Sequence, residues 1–172
     1  QIQNRRRRVY LLVIQFNNGS RYLVVIPFGA RWLGILGLIP FLTMTYVAVT
    51  EASVGIDNAD FGLRAYGAVI LSFLGGIQWG LAIRKSDGNA RTREGLTPIL
   101  TLSIVPSLIG WAGLLVEELL GFGLLTFGFA LVLISDMRAV NRGLAPRWYL
   151  RLRYPLTAVV ISCLTITLIY KM

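Results

Sequence analysis

The chain has 172 residues, 55% hydrophobic and 15% charged, with a mean hydropathy of +0.66, a balance that excludes a soluble globular domain and fits a polytopic membrane protein folded as one small helical bundle. It has no histidine, which excludes histidine acid–base catalysis, histidine-ligated zinc and bis-histidine haem. A formal charge of +9, from 17 basic and 8 acidic residues, leaves nucleic acid, anionic lipid and membrane topology as readings, and the distribution of charge along the chain favours topology.

Residues 1–29 form a basic N-terminal extension with the run Arg5-Arg6-Arg7-Arg8 and no acidic residue. Two short apolar runs, 9–16 and 22–28, flank Asn17-Asn18-Gly19-Ser20, the pattern of a β-hairpin with an Asn-Gly turn. Neither run is long enough to cross a bilayer. The segment also reads as an Arg-rich organelle-targeting sequence, or, since position 1 is Gln1, as sequence upstream of the true start. The arginine run would otherwise anchor to anionic headgroups.

Residues 30–172 form the membrane domain, with five predicted α-helical spans at about 31–50, 65–83, 97–116, 119–135 and 154–170, each close to the length that crosses a hydrocarbon core. Span one carries Pro40 at its middle, where it is expected to free the carbonyl of Leu36 and create a kink or a local polar contact. An acidic loop over 51–60 follows, and Arg64 at the start of span two is expected to pair with Asp57 or Asp60 or to snorkel.

Span two organises the rest. Ala68, Ser72, Gly76 and Gly80 recur every four residues, a small-residue face along which another helix can pack closely. Gln78 lies about 200° around the helix from Gly76, and its amide needs a partner: a neighbouring hydroxyl or carbonyl, or a ligand. After a polar turn over 84–96, span three carries a central Pro106 and offers Ser103 and Ser107 on one face as partners for Gln78. Gln78, Ser103, Ser107, Pro40 and Pro106 are therefore the candidate pocket residues, set where prolines interrupt helices.

Glu117 and Glu118 alone separate spans three and four, which must form a tight antiparallel hairpin; such adjacent acids keep a short loop in water more often than they catalyse. Span four contains Gly121, Gly123 and Gly128 and ends at Asp136, read as the partner of a nearby arginine or as a proton site. The five arginines of 138–153, together with Pro146-Arg147-Trp148-Tyr149, suggest an interfacial helix. Arg138, Arg142, Arg147, Arg151, Arg153 and Trp148 are assigned to anionic-lipid contact, and nucleic acid is set aside because spans adjoin the patch on both sides. Cys163, inside span five, is read as a packed small residue.

With five spans, fifteen basic residues fall on the side of the N-terminus and two on the other, which predicts N-in, C-out. Spans one and three share a central proline, and spans two and four several glycines, the outline of a parallel repeat.

The block Ala65-Tyr66-Gly67-Ala68-Val69-Ile70-Leu71-Ser72-Phe73-Leu74-Gly75-Gly76, with Trp79-Gly80 after it, resembles the signature of domain of unknown function 3429. Val105-Pro106-Ser107-Leu108-Ile109-Gly110-Trp111 and the stretch from Pro146 to Arg153 are similar to later blocks of that family, in the same order. The resemblance covers about 31–170. It implies a bacterial inner-membrane protein, or a mitochondrial one through the related transmembrane protein 69 of eukaryotes, and it implies no activity. Many members carry a basic residue where this chain has Gln78, so any proton relay of the family lacks its ionisable group here.

The expected function is a non-enzymatic assembly or accessory protein, without catalytic residue, metal or cofactor, that packs on other membrane proteins or on itself through the face of Ala68, Ser72, Gly76 and Gly80. The alternative is a small permease, or a lipid- or quinone-binding protein, with a pocket near Gln78, Pro40 and Pro106. An intramembrane enzyme would need Asp136 beside Glu117 or Glu118, and the topology puts them on opposite faces of the membrane.

Overall fold

The structure, a computed structural model, describes residues 26–50, 58–85 and 97–172. The readings made for residues before 26, and for the loops at 51–57 and 86–96, lie outside the described residues. The described chain is helical: α1 (Phe28–Leu36), α2 (Ile39–Thr50), α3 (Ala59–Lys85), α4 (Thr97–Leu115), α5 (Glu118–Asn141) and α6 (Arg147–Lys171). Four stretches are long and apolar enough to cross a membrane, namely Phe28–Thr50, Ala59–Ile83, Glu118–Asn141 and Arg147–Lys171, and Leu100–Leu115 is a shorter apolar helix. The outer surface suits lipid, with Leu33, Phe73, Trp111, Leu115 and Ile169 all exposed.

α1 and α2 make one broken span. Gly37 donates to the carbonyl of Leu33 and Leu38 to that of Ile35, which closes α1. α2 then starts with Ile39 and Pro40, so the proline stands in a first turn, where a missing N–H costs little. The expected kink at Pro40 is thus displaced to Gly37–Leu38. The expected polar contact also moves: the carbonyl that gains a tertiary donor belongs to Gly37, and it accepts from Tyr66 Oη at 3.1 Å.

α3 and α4 share the most extensive packing in the bundle. A Cβ added to Gly110 would stand 3.0 Å from Cα of Ala68, and one added to Gly75 would stand 2.5 Å from the carbonyl oxygen of Ser103. The close rungs on α3 are therefore residues 68 and 75, seven apart. Within the bundle the rungs thus fall in steps of seven rather than four, for a simple reason: each four-residue step turns a helix by about 400°, so the face drifts by about 40° per rung, whereas a seven-residue step drifts by only about 20°. Ala68 faces α4, Ser72 donates to the Ala68 carbonyl at 3.0 Å, and Gly76 and Gly80 turn outward, where an added Cβ meets nothing within 4 Å.

α5 obeys the same rule. A Cβ on Gly128 would stand 2.8 Å from Leu71 Cδ1, and one on Gly121 would collide with the Gly113 carbonyl, again seven residues apart. Between these approaches lies the core of Phe41, Leu63, Leu71, Phe122, Leu125, Phe129 and Leu164. Phe41 sits edge-on to Tyr66 and Phe129, with centroids 5.0 and 6.0 Å away.

The connection from α5 to α6 sets the site. Gly143 takes φ +70, Leu144 donates to the Ala139 carbonyl and Gly143 to that of Val140, the pairing of a Schellman motif. Pro146 then caps α6, which begins at Arg147. The segment expected to lie as a separate interfacial helix is instead the first two turns of the last span, because the chain reverses within 142–146 and continues helical through Pro155.

Candidate functional site

The α5–α6 hairpin aligns residues that are distant in sequence. Asp136 stands five residues before the end of α5 and Arg153 six residues after the start of α6, so the antiparallel pair brings them to the same depth. Tyr149 and Arg153 are four apart and share a face of α6. Gln78 reaches the same point from α3.

Asp136 is fully buried, and both of its oxygens are engaged. Oδ2 accepts from Arg153 Nε at 2.7 Å, while Oδ1 accepts from Gln78 Nε2 at 2.6 Å and from Tyr149 Oη at 3.3 Å. Arg153 is 7% exposed, and its Nη2 is buried without an acceptor, as is Thr157 Oγ1 one turn further along α6. The cluster is neutral as a whole. Both carboxylate oxygens are committed to donors, whereas a guanidinium with unused donors retains capacity for an acceptor.

Two cavities flank the cluster. One, of about 290 Å³, lies among α3, α4 and α5 and is lined by Gln78, Ser103, Pro106, Ser135, Arg138 and Arg142, among others. The other, of about 490 Å³, lies on the opposite side, between α1, α2, α3 and α6; Phe41, Phe73, Phe129, Trp148, Tyr149 and Arg153 contribute to its wall.

The residues singled out from sequence are thus divided. Gln78, Ser103 and Pro106 line one cavity; Pro40 and Ser107 line neither. The expected bond from Gln78 to Ser103 or Ser107 is absent, because Asp136 takes the amide and Ser103 donates to the Leu100 carbonyl of its own helix at 2.6 Å. Arg138, Arg142, Arg147 and Arg151 are exposed and Trp148 is half-buried. Arg153 departs from its assignment to lipid contact: it faces inward to Asp136. Sequence reasoning placed Asp136 at a span's end and named an arginine as its partner; what it missed is that α5 continues to Asn141, which puts the carboxylate more than a turn inside. The signal was present in the stripe Tyr149, Arg153, Thr157, Val160, Leu164 and Thr167, which runs at helical spacing along one face of the last helix.

At the far end, Arg64 Nη1 donates to the Gly113 carbonyl at 3.4 Å, and the guanidinium lies 5.8 Å from the centroid of the Phe122 ring. The expected partner Asp60 is held by Lys171 at 2.7 Å. Glu118 opens α5 there, eighteen residues from Asp136, or about 27 Å along the helix, so the two carboxylates form no common site.

A family model described as "Protein of unknown function (DUF3429)" matches residues 26–169. The chain is 33% identical over 145 residues to transmembrane protein 69 of Xenopus tropicalis, covering 83% of this chain and 54% of the relative. It is 31% identical over 152 residues to transmembrane protein 69 of Mus musculus, covering 87% of this chain and 59% of the relative. The chain therefore spans a little over half the length of these curated relatives. No solved structure matches it.

Proposed function

The chain belongs to the DUF3429 family and is a multi-pass membrane protein, and from that premise we propose that it is a five-span bundle oriented N-in, C-out that acts as a non-enzymatic accessory or assembly protein, packing on other membrane proteins or on itself. Its membrane is a bacterial inner membrane or, through the likeness to transmembrane protein 69, a mitochondrial inner membrane. Lipids and protein neighbours are its partners, and nucleic acid is not.

The observation that carries this reading is the outward half of α3. Ser72, Gly76 and Gly80 are exposed, and the two glycines have nothing within 4 Å of an added Cβ. Lipid tails gain little from glycine, whereas a second helix gains close backbone approach. Because the space is open, Gly76→Leu and Gly80→Leu are compatible with the isolated bundle. In native mass spectrometry of protein gently extracted from its own membrane, the wild type is expected in a stoichiometric complex. The two leucine variants are expected as monomers with an unchanged thermal midpoint. A wild-type chain that is a lone monomer overturns the reading.

The cavity lined by Gln78, Ser103 and Pro106 favours a second reading, a small permease or a lipid- or quinone-binding protein. Retention of a small molecule by the monomer, lost in Gln78→Leu, would replace the first reading with this one.

A further inference from the structure

We propose that the larger groove, bounded by α1, α2, α3 and α6, holds one acyl chain of an anionic phospholipid, with the lipid phosphate at the end where α6 begins. The first argument is length. Along α6 the wall runs from Trp148 to Val160, about 18 Å at about 1.5 Å per residue, and one leaflet of a hydrocarbon core of roughly 30 Å is about 15 Å deep. The groove is one leaflet long.

The second argument is polarity at its two ends. Its deep wall is built by Phe41, Phe129 and Val160, while Trp148 and Tyr149 stand at the end where α6 begins and Arg153 lines its middle. Tryptophan and tyrosine favour headgroup depth. Beyond them stand two exposed arginines, Arg147 at the start of α6 and Arg31 in the first turn of α1. A phosphate oxygen is the acceptor that a guanidinium matches best.

Charge selects the headgroup. Among the described residues, Arg31, Arg138, Arg142 and Arg147 are exposed at this same end, and the one carboxylate there, Asp136, is already neutralised by Arg153. A zwitterionic lipid would bring its own cation into that field, and a neutral quinone would draw nothing from it.

The test uses the full chain, delipidated and titrated in native mass spectrometry with dioleoyl-phosphatidylglycerol, dioleoyl-phosphatidylcholine and decylubiquinone. One phosphatidylglycerol is expected to survive collision energies that strip phosphatidylcholine. Arg147→Gln, at an exposed position, is expected to weaken it about fivefold, the equivalent of about 1 kcal/mol per arginine near a charged surface. Ala30→Phe, which plugs the mouth of the groove, is expected to abolish retention with circular dichroism unchanged. Equal retention of phosphatidylcholine, displacement of the lipid by the quinone, or full retention in Ala30→Phe together with full retention in Arg147→Gln overturns the proposal.

Discussion

The two ends of the bundle each draw an arginine inward and satisfy it in opposite ways. Arg153 meets a fully buried carboxylate, which two further side chains orient, at 2.7 Å. Among the described residues Arg64 meets no acid; a carbonyl at 3.4 Å and the face of Phe122 receive it, and its Nε is buried without an acceptor. The difference lies in the surrounding backbone. At the Arg64 end, Gly113 and Gly121 let α4 and α5 touch through their main chains, so the arginine lies across a tight glycine contact and presents its stem to it. At the Arg153 end the helices stand apart, leaving cavities on both sides, and charge rather than close packing joins them. Around these two arginines, one end is held by shape and the other by electrostatics.

Removing the carboxylate is the strongest way to break that contrast. Asp136→Ala strands a buried guanidinium and is expected to cost about 3–5 kcal/mol in reversible unfolding in detergent, whereas Asp136→Leu with Arg153→Met is expected to recover most of the loss. An equal loss in the single and double variants would mean that packing, not charge, holds this end too. At the opposite end Gly121→Ala drives a methyl group into the Gly113 carbonyl and the Arg64 stem, with an expected cost of about 1–3 kcal/mol by the same measurement.

Arg64→Met sharpens the comparison, since it keeps the stem and removes the charge. Its expected cost is about 1 kcal/mol or less, the scale of one long hydrogen bond and a cation–π contact. A loss as large as that of Asp136→Ala would show that Arg64 has an acidic partner in the assembled membrane. The smallest effect is expected for Lys171→Ala. Its partner Asp60 and the ammonium are both partly exposed, so the change is expected to stay under about 1 kcal/mol and to shrink with added salt in the same unfolding titration.

Much of the fold was legible because long apolar runs and charged turns obey the bilayer's constraints: a glycine-rich span two, a two-glutamate turn and an arginine-rich reversal all mark helix ends. The site was less legible. A small-residue face read in steps of four places Gly76 and Gly80 against a neighbour, but packed antiparallel helices keep register in steps of seven, so Gly75 makes the contact and the other two turn outward. Gln78 advertises a need for a partner, yet nothing local distinguishes Ser107 on the next helix from Asp136 fifty-eight residues away; only the packing of α3 against α5 does so. Pro40 was read as a break and stands just beyond one, because glycine and leucine before it end the helix first.

The short reversal at 142–146 also bears on the cost of bringing two charges into a bilayer. Asp136 and Arg153 lie on either side of five connecting residues, and each alone would burden a lone helix entering the bilayer, by up to about 2.5–3.5 kcal/mol near its centre. Brought in together, they enter as a neutral, self-satisfied pair. Insertion of the last hairpin as a unit would avoid that cost, whereas a chain truncated after Asn141 would carry an acid without its counter-ion.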